Sequence, residues 1–137
     1  MRSRTVLFAA LADAACILLF AAVGRASHGE GNALVGVLQV AWPFLAGCAV
    51  AWVPSQTWRE PLRLWPHAVG LWALTWGWGM FLRHLTGAGT APSFLVVAAV
   101  VLAVLLIGWR GVVAGISAAR RAAASRRETP SPQAAPR

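Results

Sequence analysis

The stretch TVLFAALADAACILLFAAVG, residues 5–24, has only one charged residue, Asp13. A helix needs about 20 predominantly apolar residues to cross the ~30 Å hydrocarbon core of a bilayer. Strands fit poorly, because apolar and polar residues do not alternate and an open strand edge finds no hydrogen-bond partner in lipid. A cleaved signal peptide is disfavoured, since Asp13 interrupts the apolar core. The stretch therefore predicts a transmembrane helix.

Three further apolar runs follow, separated by glycine, proline, serine and asparagine residues that favour turns. Apolar residues make up 58% of the chain and charged residues 12%, against about 25% charged residues in a typical soluble domain. We predict an all-α fold, an integral membrane bundle of four transmembrane helices within residues 1–116. The predicted helices are 5–24, 33–53, 64–82 and 91–116. Residues 117–137 are predicted to form a basic and then Pro-rich tail, partly disordered.

Arginine supplies all of the chain's positive side-chain charge apart from histidine, and the net charge is +8. Four spans place both termini on one side of the membrane. That side receives ten arginines and the other side two, so the positive-inside rule predicts cytoplasmic termini. The abundance of alanine, glycine and arginine, with no lysine or tyrosine, favours a bacterial origin and hence a bacterial plasma membrane. The ten arginines are Arg2, Arg4, Arg59, Arg63, Arg110, Arg120, Arg121, Arg126, Arg127 and Arg137.

The partners that this charge predicts are lipids. A basic protein can bind nucleic acid, but these arginines lie at the ends of apolar runs, so we expect a lipid bilayer and no nucleic acid. The segment SAARRAAASRR, residues 117–127, is predicted to continue the fourth helix along the cytoplasmic face. Each arginine near an anionic lipid surface contributes about 1 kcal/mol of attraction. The competing interpretation is a plain topology anchor.

The two predicted outward loops share the pattern R-x-x-x-G-x-G, in RASHGEG at residues 25–31 and RHLTGAG at residues 83–89. The shared pattern is consistent with two similar hairpins. Arginines at helix ends commonly reach the lipid headgroups, and glycines permit positive φ in turns. Alternatively, the two arginines and the glycine-rich turns form an anion-binding mouth. The candidate binding residues are Arg25, His28, Arg83, His84, Gly29, Gly31, Gly87 and Gly89.

Asp13 lies in the middle of its run, where a carboxylate costs about 2.5–3.5 kcal/mol on insertion scales. We expect it to face the bundle interior without a cationic partner. Counting 1.5 Å of rise per residue places Trp42 and Trp72 near its depth, with Gln39 and Thr75 somewhat shallower. An indole N–H can donate to a carboxylate. Two interpretations stay open: a structural, hydrogen-bonded aspartate, or a site that exchanges a proton for a cation.

Catalysis and metal binding have little support in the sequence. No Ser-His-Asp order, paired carboxylates or phosphate-binding loop is present, so we expect neither an enzyme nor a cofactor. His28, Glu30 and His84 are residue types that bind metals. They come from two loops without paired spacing, so we expect no metal site.

Several short motifs occur in a characteristic order: Asp13, FAAVGRASH (residues 20–28), AWPF (41–44), GMFLR with GAGTAPSF (79–94) and GWR (108–110). Over roughly residues 10 to 115 the chain resembles the bacterial family catalogued as domain of unknown function 3054. The resemblance implies a small multi-pass membrane protein without an assigned activity. The matching positions are Asp13, Gly24, Arg25, His28, Pro43, Phe44, Arg83, Gly87, Gly89, Thr90, Ser93, Phe94, Gly108 and Arg110.

Two function hypotheses follow. The first is a binding or scaffolding membrane protein whose outward mouth attracts an anion. The second is a proton-coupled transporter of a small solute or cation that uses Asp13. A transporter of this size would work as a homodimer, since four helices enclose little volume. The layout is analogous to that of small multidrug transporters, whose other motifs are absent here.

Overall fold

The computed structural model describes residues 1–29 and 33–128, and in this part the chain forms an all-α bundle without strands. The predicted fold class is therefore confirmed. Three of the four helices, all except α3, are long and apolar enough to cross a membrane, and the chain is a membrane protein. The helices are α1 (Arg2–Ser27), α2 (Leu34–Ala51), α3 (Val69–Leu85) and α4 (Pro92–Glu128).

The third predicted helix, residues 64–82, is wrong at its start. A separate turn over Leu64–Ala68 precedes α3, and Trp65 within it is extended, with φ −113° and ψ 136°. The physical reason is Pro66, because a residue before proline is driven out of the helical region. α3 has 17 residues, so it spans only about 25 Å.

The other helices are close to their predicted positions, but two are longer. α1 extends beyond the predicted 5–24 at both ends, and α4 continues past residue 116 through residues 117–127, as predicted for that segment, as far as Glu128. With 37 residues, α4 is about 55 Å long, which exceeds the ~30 Å hydrocarbon core. Its arginine-rich end therefore projects beyond the membrane as helix. Residues 129–137 of the predicted tail lie outside the described part.

The segment between α2 and α3, residues 52–63, folds back beneath the bundle. His67 Nδ1 lies 2.8 Å from the Ser55 carbonyl oxygen, and Arg2 Nη2 donates to the Arg59 carbonyl at 2.9 Å. These contacts bring the chain start and residues 52–63 to one end of the bundle, here called the lower end. The upper end is the opposite one, where α1 and α3 end and α2 and α4 begin.

The closest helix packing is between α2 and α3. A Cβ placed on Gly47 would lie 3.0 Å from the backbone nitrogen of Gly79, and a Cβ placed on Gly79 would overlap the Phe44 ring. Small residues allow helix backbones to approach closely, which favours association in lipid. The ring of Phe44 thus occupies space that a side chain on α3 would fill.

We predict that Gly79→Ala lowers the thermal stability of the detergent-solubilised protein, followed by tryptophan fluorescence. The added methyl overpacks the Phe44 contact, which typically costs about 1–3 kcal/mol. Gly77→Ala is the matched control, because a Cβ there meets nothing within 4 Å. Alanine is about 1 kcal/mol more favourable than glycine in a helix, so the control should unfold at the same or a higher temperature. Equal stability of the two variants would contradict the packing.

Candidate functional site

Among the described residues, two polar clusters contain buried charged side chains, one in the lower half of the bundle and one at the upper end. The lower cluster centres on Asp13 of α1, which is fully buried. Arg110 of α4 binds it through two hydrogen bonds, Nη1 to Oδ1 at 2.6 Å and Nη2 to Oδ2 at 2.8 Å. Such a two-pronged pair has strict geometry and strong charge-assisted bonds.

Two indole N–H groups donate further hydrogen bonds to the carboxylate of Asp13. Trp109 Nε1 donates to Oδ1 at 3.0 Å, and Trp52 Nε1 donates to Oδ2 at 3.2 Å. The prediction of Trp42 or Trp72 as the donor was wrong. Trp42 is 43% exposed and faces away from the bundle, while Trp72 Nε1 donates to the Ala99 carbonyl at 2.8 Å.

The remaining predicted intramembrane residues do not reach Asp13 either. Gln39 is exposed, and Thr75 is buried with its Oγ1 unpartnered in the described part of the chain. The depth count failed because it assumed straight spans and could not assign the rotation of each helix about its axis. It also did not consider Trp52, which lies at the end of α2 with its indole turned toward the carboxylate.

The absence of a cationic partner was also predicted wrongly. Arg110 was assigned to the inner surface, but it is fully buried because α4 continues for a further 18 residues. Its Nε donates to the Pro61 carbonyl at 2.8 Å, and its Nη1 to the Leu106 carbonyl at 2.9 Å. Arg110 therefore ties α1, α4 and residues 52–63 together. A signal was present in the sequence: Arg110 and Asp13 are opposite charges that each lie within an apolar stretch.

The upper cluster surrounds a cavity of about 340 Å³. Residues from all four helices contribute, and the predicted candidates Arg25, His28 and Arg83 are among them. The lining residues are Phe20, Val23, Gly24, Arg25, Ser27, His28, Val40, Arg83, Phe94, Val97 and Val101. We call this cavity the upper pocket.

Arg83 is the most deeply placed cation of the upper pocket, with 9% of its surface exposed. Its Nη2 donates to the carbonyl oxygens of Ala88 at 2.9 Å and Gly89 at 3.2 Å, and its Cζ lies 4.4 Å from the centre of the Phe94 ring. Its Nε is buried and has no acceptor among the described residues. A guanidinium has five N–H donors, so this side chain retains unused capacity for an acceptor.

Among the described residues, no carboxylate forms a salt bridge with this guanidinium. The described residues include three carboxylates, Asp13, Glu60 and Glu128. Asp13 is bound by Arg110, Glu60 lies in the lower segment, and Glu128 ends α4. A buried charge without an opposite charge is costly, and a cation–π contact such as that with Phe94 recovers only about 0.5–2 kcal/mol. An anionic oxygen entering the upper pocket would offset the remaining cost.

Arg25 reaches the same pocket from α1. A Cβ on Gly36, in the first turn of α2, would overlap the Arg25 guanidinium. The missing side chain at Gly36 therefore gives the guanidinium the space it occupies between α1 and α2.

The other predicted binding residues divide into three groups. His84 is exposed at the end of α3 and does not line the pocket. Gly29, Gly87 and Gly89 have positive φ of 70°, 69° and 82°, so they shape the turns without lining the pocket. Gly31 and the acidic residue Glu30 lie outside the described residues.

A metal site gains no support in the described part, where no three histidine, cysteine or acidic side chains gather. The two hairpins share one feature, since Gly29 and Gly87 follow their arginines by four residues and have nearly equal φ. Whether the hairpins are a true repeat stays a prediction. In the sequence Phe94 stands out only as a motif position, because sequence alone does not show which helix face meets Arg83.

Comparison with known proteins gives one finding. A family model described as "Protein of unknown function (DUF3054)" matches residues 10–113. This match confirms the resemblance carried by the ordered motifs. No curated protein and no solved structure matches the chain.

We predict that Asp13→Asn strongly destabilises the protein. Removing one partner of a buried ion pair leaves the other charge uncompensated, which costs about 3–5 kcal/mol. Thermal or denaturant unfolding in detergent, followed by tryptophan fluorescence, measures the change.

Glu60→Gln is the control. Glu60 and Arg63 form a salt bridge of 2.8 Å at the surface, and the hydrogen bond from Arg63 lowers the pKa of Glu60. Exposed pairs contribute little to stability, so this variant should unfold close to the wild type. An Asp13→Asn protein as stable as the control would show that the buried pair does not hold the bundle.

Proposed function

The chain belongs to the DUF3054 family of proteins of unknown function, and we propose that it is a membrane protein whose upper pocket binds an oxyanion. One observation carries the proposal: Arg83 is nine-tenths buried in that pocket, and its Nε has no acceptor in the described part. The activity is binding or scaffolding rather than catalysis, and it requires no cofactor.

The composition of the pocket supports an anionic ligand. Arg25 and Arg83 both line it, so two guanidinium groups border the same cavity. A phosphate or carboxylate that enters the cavity is attracted by these positive charges. Guanidinium groups bind both kinds of oxyanion through paired N–H groups. His28 lines the same pocket and adds a third nitrogen-bearing side chain.

We propose that the upper end faces outward from a bacterial plasma membrane, with both termini cytoplasmic. The support is the arginine distribution, which places Arg2, Arg59 and the end of α4 at the lower end. Arg83 and Arg110 no longer count as surface charges, since both are buried, but the bias of the remaining arginines is unchanged. The projecting arginines of α4 suit anionic lipid at the cytoplasmic leaflet.

Proton-coupled transport through Asp13, by a homodimer, is the alternative. Its support is weaker, because the carboxylate accepts four hydrogen bonds from Arg110, Trp52 and Trp109. A transport function would require this cluster to open in each cycle.

We predict that inorganic phosphate raises the thermal unfolding temperature of the wild-type protein in detergent, compared with chloride at equal ionic strength. A ligand that binds only the folded state stabilises it by about 2.7 kcal/mol at 100 times its Kd. Arg83→Met should abolish the phosphate-dependent shift, measured against the variant's own phosphate-free midpoint. Arg25→Gln should weaken it.

Arg126→Gln is the matched control, because it removes the same charge from the exposed end of α4 and should leave the shift unchanged. Equal phosphate shifts in the Arg83→Met variant and in the wild type would contradict the proposed site.

The proposed orientation predicts distinct labelling of two introduced cysteines. Cys16 and Cys48 would first be replaced by alanine. Ala26 and Glu60 are both exposed, at opposite ends of the bundle. In intact cells, a membrane-impermeant maleimide should label Ala26→Cys and not Glu60→Cys, and both should react after the membrane is permeabilised. The opposite pattern would invert the topology.

A further inference from the structure

We infer that the ligand of the upper pocket is an amphiphile, with an oxyanionic head and one hydrocarbon chain, that enters from the surrounding bilayer between α1 and α4. This inference rests on the proposed oxyanion site and adds the chemical class of the rest of the ligand.

The pocket changes from charged to apolar with depth. Arg25, His28 and Arg83 lie at its upper end, near the ends of α1 and α3. Val101 lies nine residues along α4 from Pro92, about 14 Å below the start of that helix, and Val40 lies about 9 Å below the start of α2. A small inorganic anion would contact only the upper part, whereas a chain attached to it would contact the valines below.

The seam between α1 and α4 is closed in its lower half. The Asp13–Arg110 pair joins the two helices there, and the rings of Phe8 and Trp109 meet edge to face with centroids 5.8 Å apart. Higher up, the Cys16 thiol lies 3.7 Å from the Leu105 carbonyl oxygen. Above that contact the rings of Phe20 and Phe94 approach each other across the seam, with centroids 6.3 Å apart, and the upper pocket lies beside these rings, between the two helices.

The upper part of the seam faces lipid. Val23 of α1 and Val97 of α4 both line the pocket, and they are 53% and 56% exposed. In a membrane protein, exposed valines on spanning helices contact hydrocarbon, so the cavity is continuous with the bilayer at this edge. A molecule already dissolved in the membrane can reach Arg83 by this path without crossing water.

The size of the cavity favours a single chain. Its volume of about 340 Å³ lies near the lower end of the ~300–1,000 Å³ range of ligand pockets. A monoacyl or monoalkyl phosphate or carboxylate fits this description. A two-chain phospholipid would leave one chain outside in the bilayer.

The test compares two probes, inorganic phosphate and dodecyl phosphate, on the full chain in nanodiscs of zwitterionic lipid, with dodecanol as the uncharged control. Binding is measured as the shift of the thermal unfolding midpoint against probe concentration, relative to each variant's probe-free midpoint. Val101→Phe and Val40→Phe fill the apolar part of the pocket from two walls. Val100→Phe is the matched control, because Val100 is 57% exposed on the same helix and does not line the pocket.

We expect the wild type to respond to both phosphates and not to dodecanol. Each blocking variant should bind dodecyl phosphate about tenfold more weakly, the scale of effect that a misfit in an apolar pocket produces. The blocking variants should keep the wild-type response to inorganic phosphate, and Val100→Phe should keep both responses. If both blocking variants bind dodecyl phosphate as the wild type does while Arg83→Met binds neither probe, the chain inference fails and the oxyanion site stands. If neither probe shifts the wild type, both fail.

A second measurement uses the wild type alone, so it does not depend on the folding of any variant. A dodecyl phosphate with a photoreactive diazirine at the end of its chain should label Val40 or Val101, and excess dodecyl phosphate should prevent the labelling. Labelling confined to the lipid-facing Val100 and Val104, unaffected by the competitor, would overturn the inference.

Discussion

The ion pair between Asp13 and Arg110 is the contact on which the lower half of the bundle depends. It joins the first and last spanning helices, and through the Pro61 carbonyl it also holds the segment that folds back between α2 and α3. A buried pair of charges is not intrinsically stabilising, because desolvation can exceed the attraction. Here the two indoles and the backbone carbonyls supply the further hydrogen bonds that make burial tolerable. The pair therefore fixes which helices are neighbours and at what height they meet.

With α1 and α4 joined below, the cavity between them lies above, where Arg83 and Arg25 are placed by contacts of a different kind. The Arg83 guanidinium contacts the turn carbonyls and the Phe94 ring, and the Arg25 guanidinium packs against Gly36. The two polar clusters differ in whether all of their hydrogen-bonding groups have partners. Every oxygen of Asp13 is occupied, whereas the Arg83 guanidinium keeps a buried donor without an acceptor in the described part. A cluster whose polar groups all have hydrogen-bond partners stabilises the fold. A cluster that keeps a buried donor without an acceptor is the better candidate for binding a ligand.

Sequence alone predicts the class of fold here because hydrocarbon imposes a strict requirement: apolar runs of sufficient length must form helices. The sequence also predicts that Arg25, His28 and Arg83 lie close together, since turns at one end of antiparallel helices are neighbours. It fails on the partner of Asp13, because pairing depends on the rotation of each helix and on how far α4 continues, neither of which the apolar pattern fixes. It fails at Trp65 and Pro66 for a local reason, since one proline shortens a helix within an otherwise uniform apolar run.

An oxyanion site at Arg83 is tested most directly by the ¹⁵N–¹H resonance of the Arg83 Nε group in nanodiscs during a titration with phosphate. We expect a saturable shift of this resonance, because the group gains an acceptor, together with a smaller shift of the Arg25 resonance. The Arg110 Nε resonance should stay constant, since that group already donates to Pro61. An Arg83 resonance that does not move while phosphate shifts the arginines at the end of α4 would contradict an oxyanion site in the upper pocket.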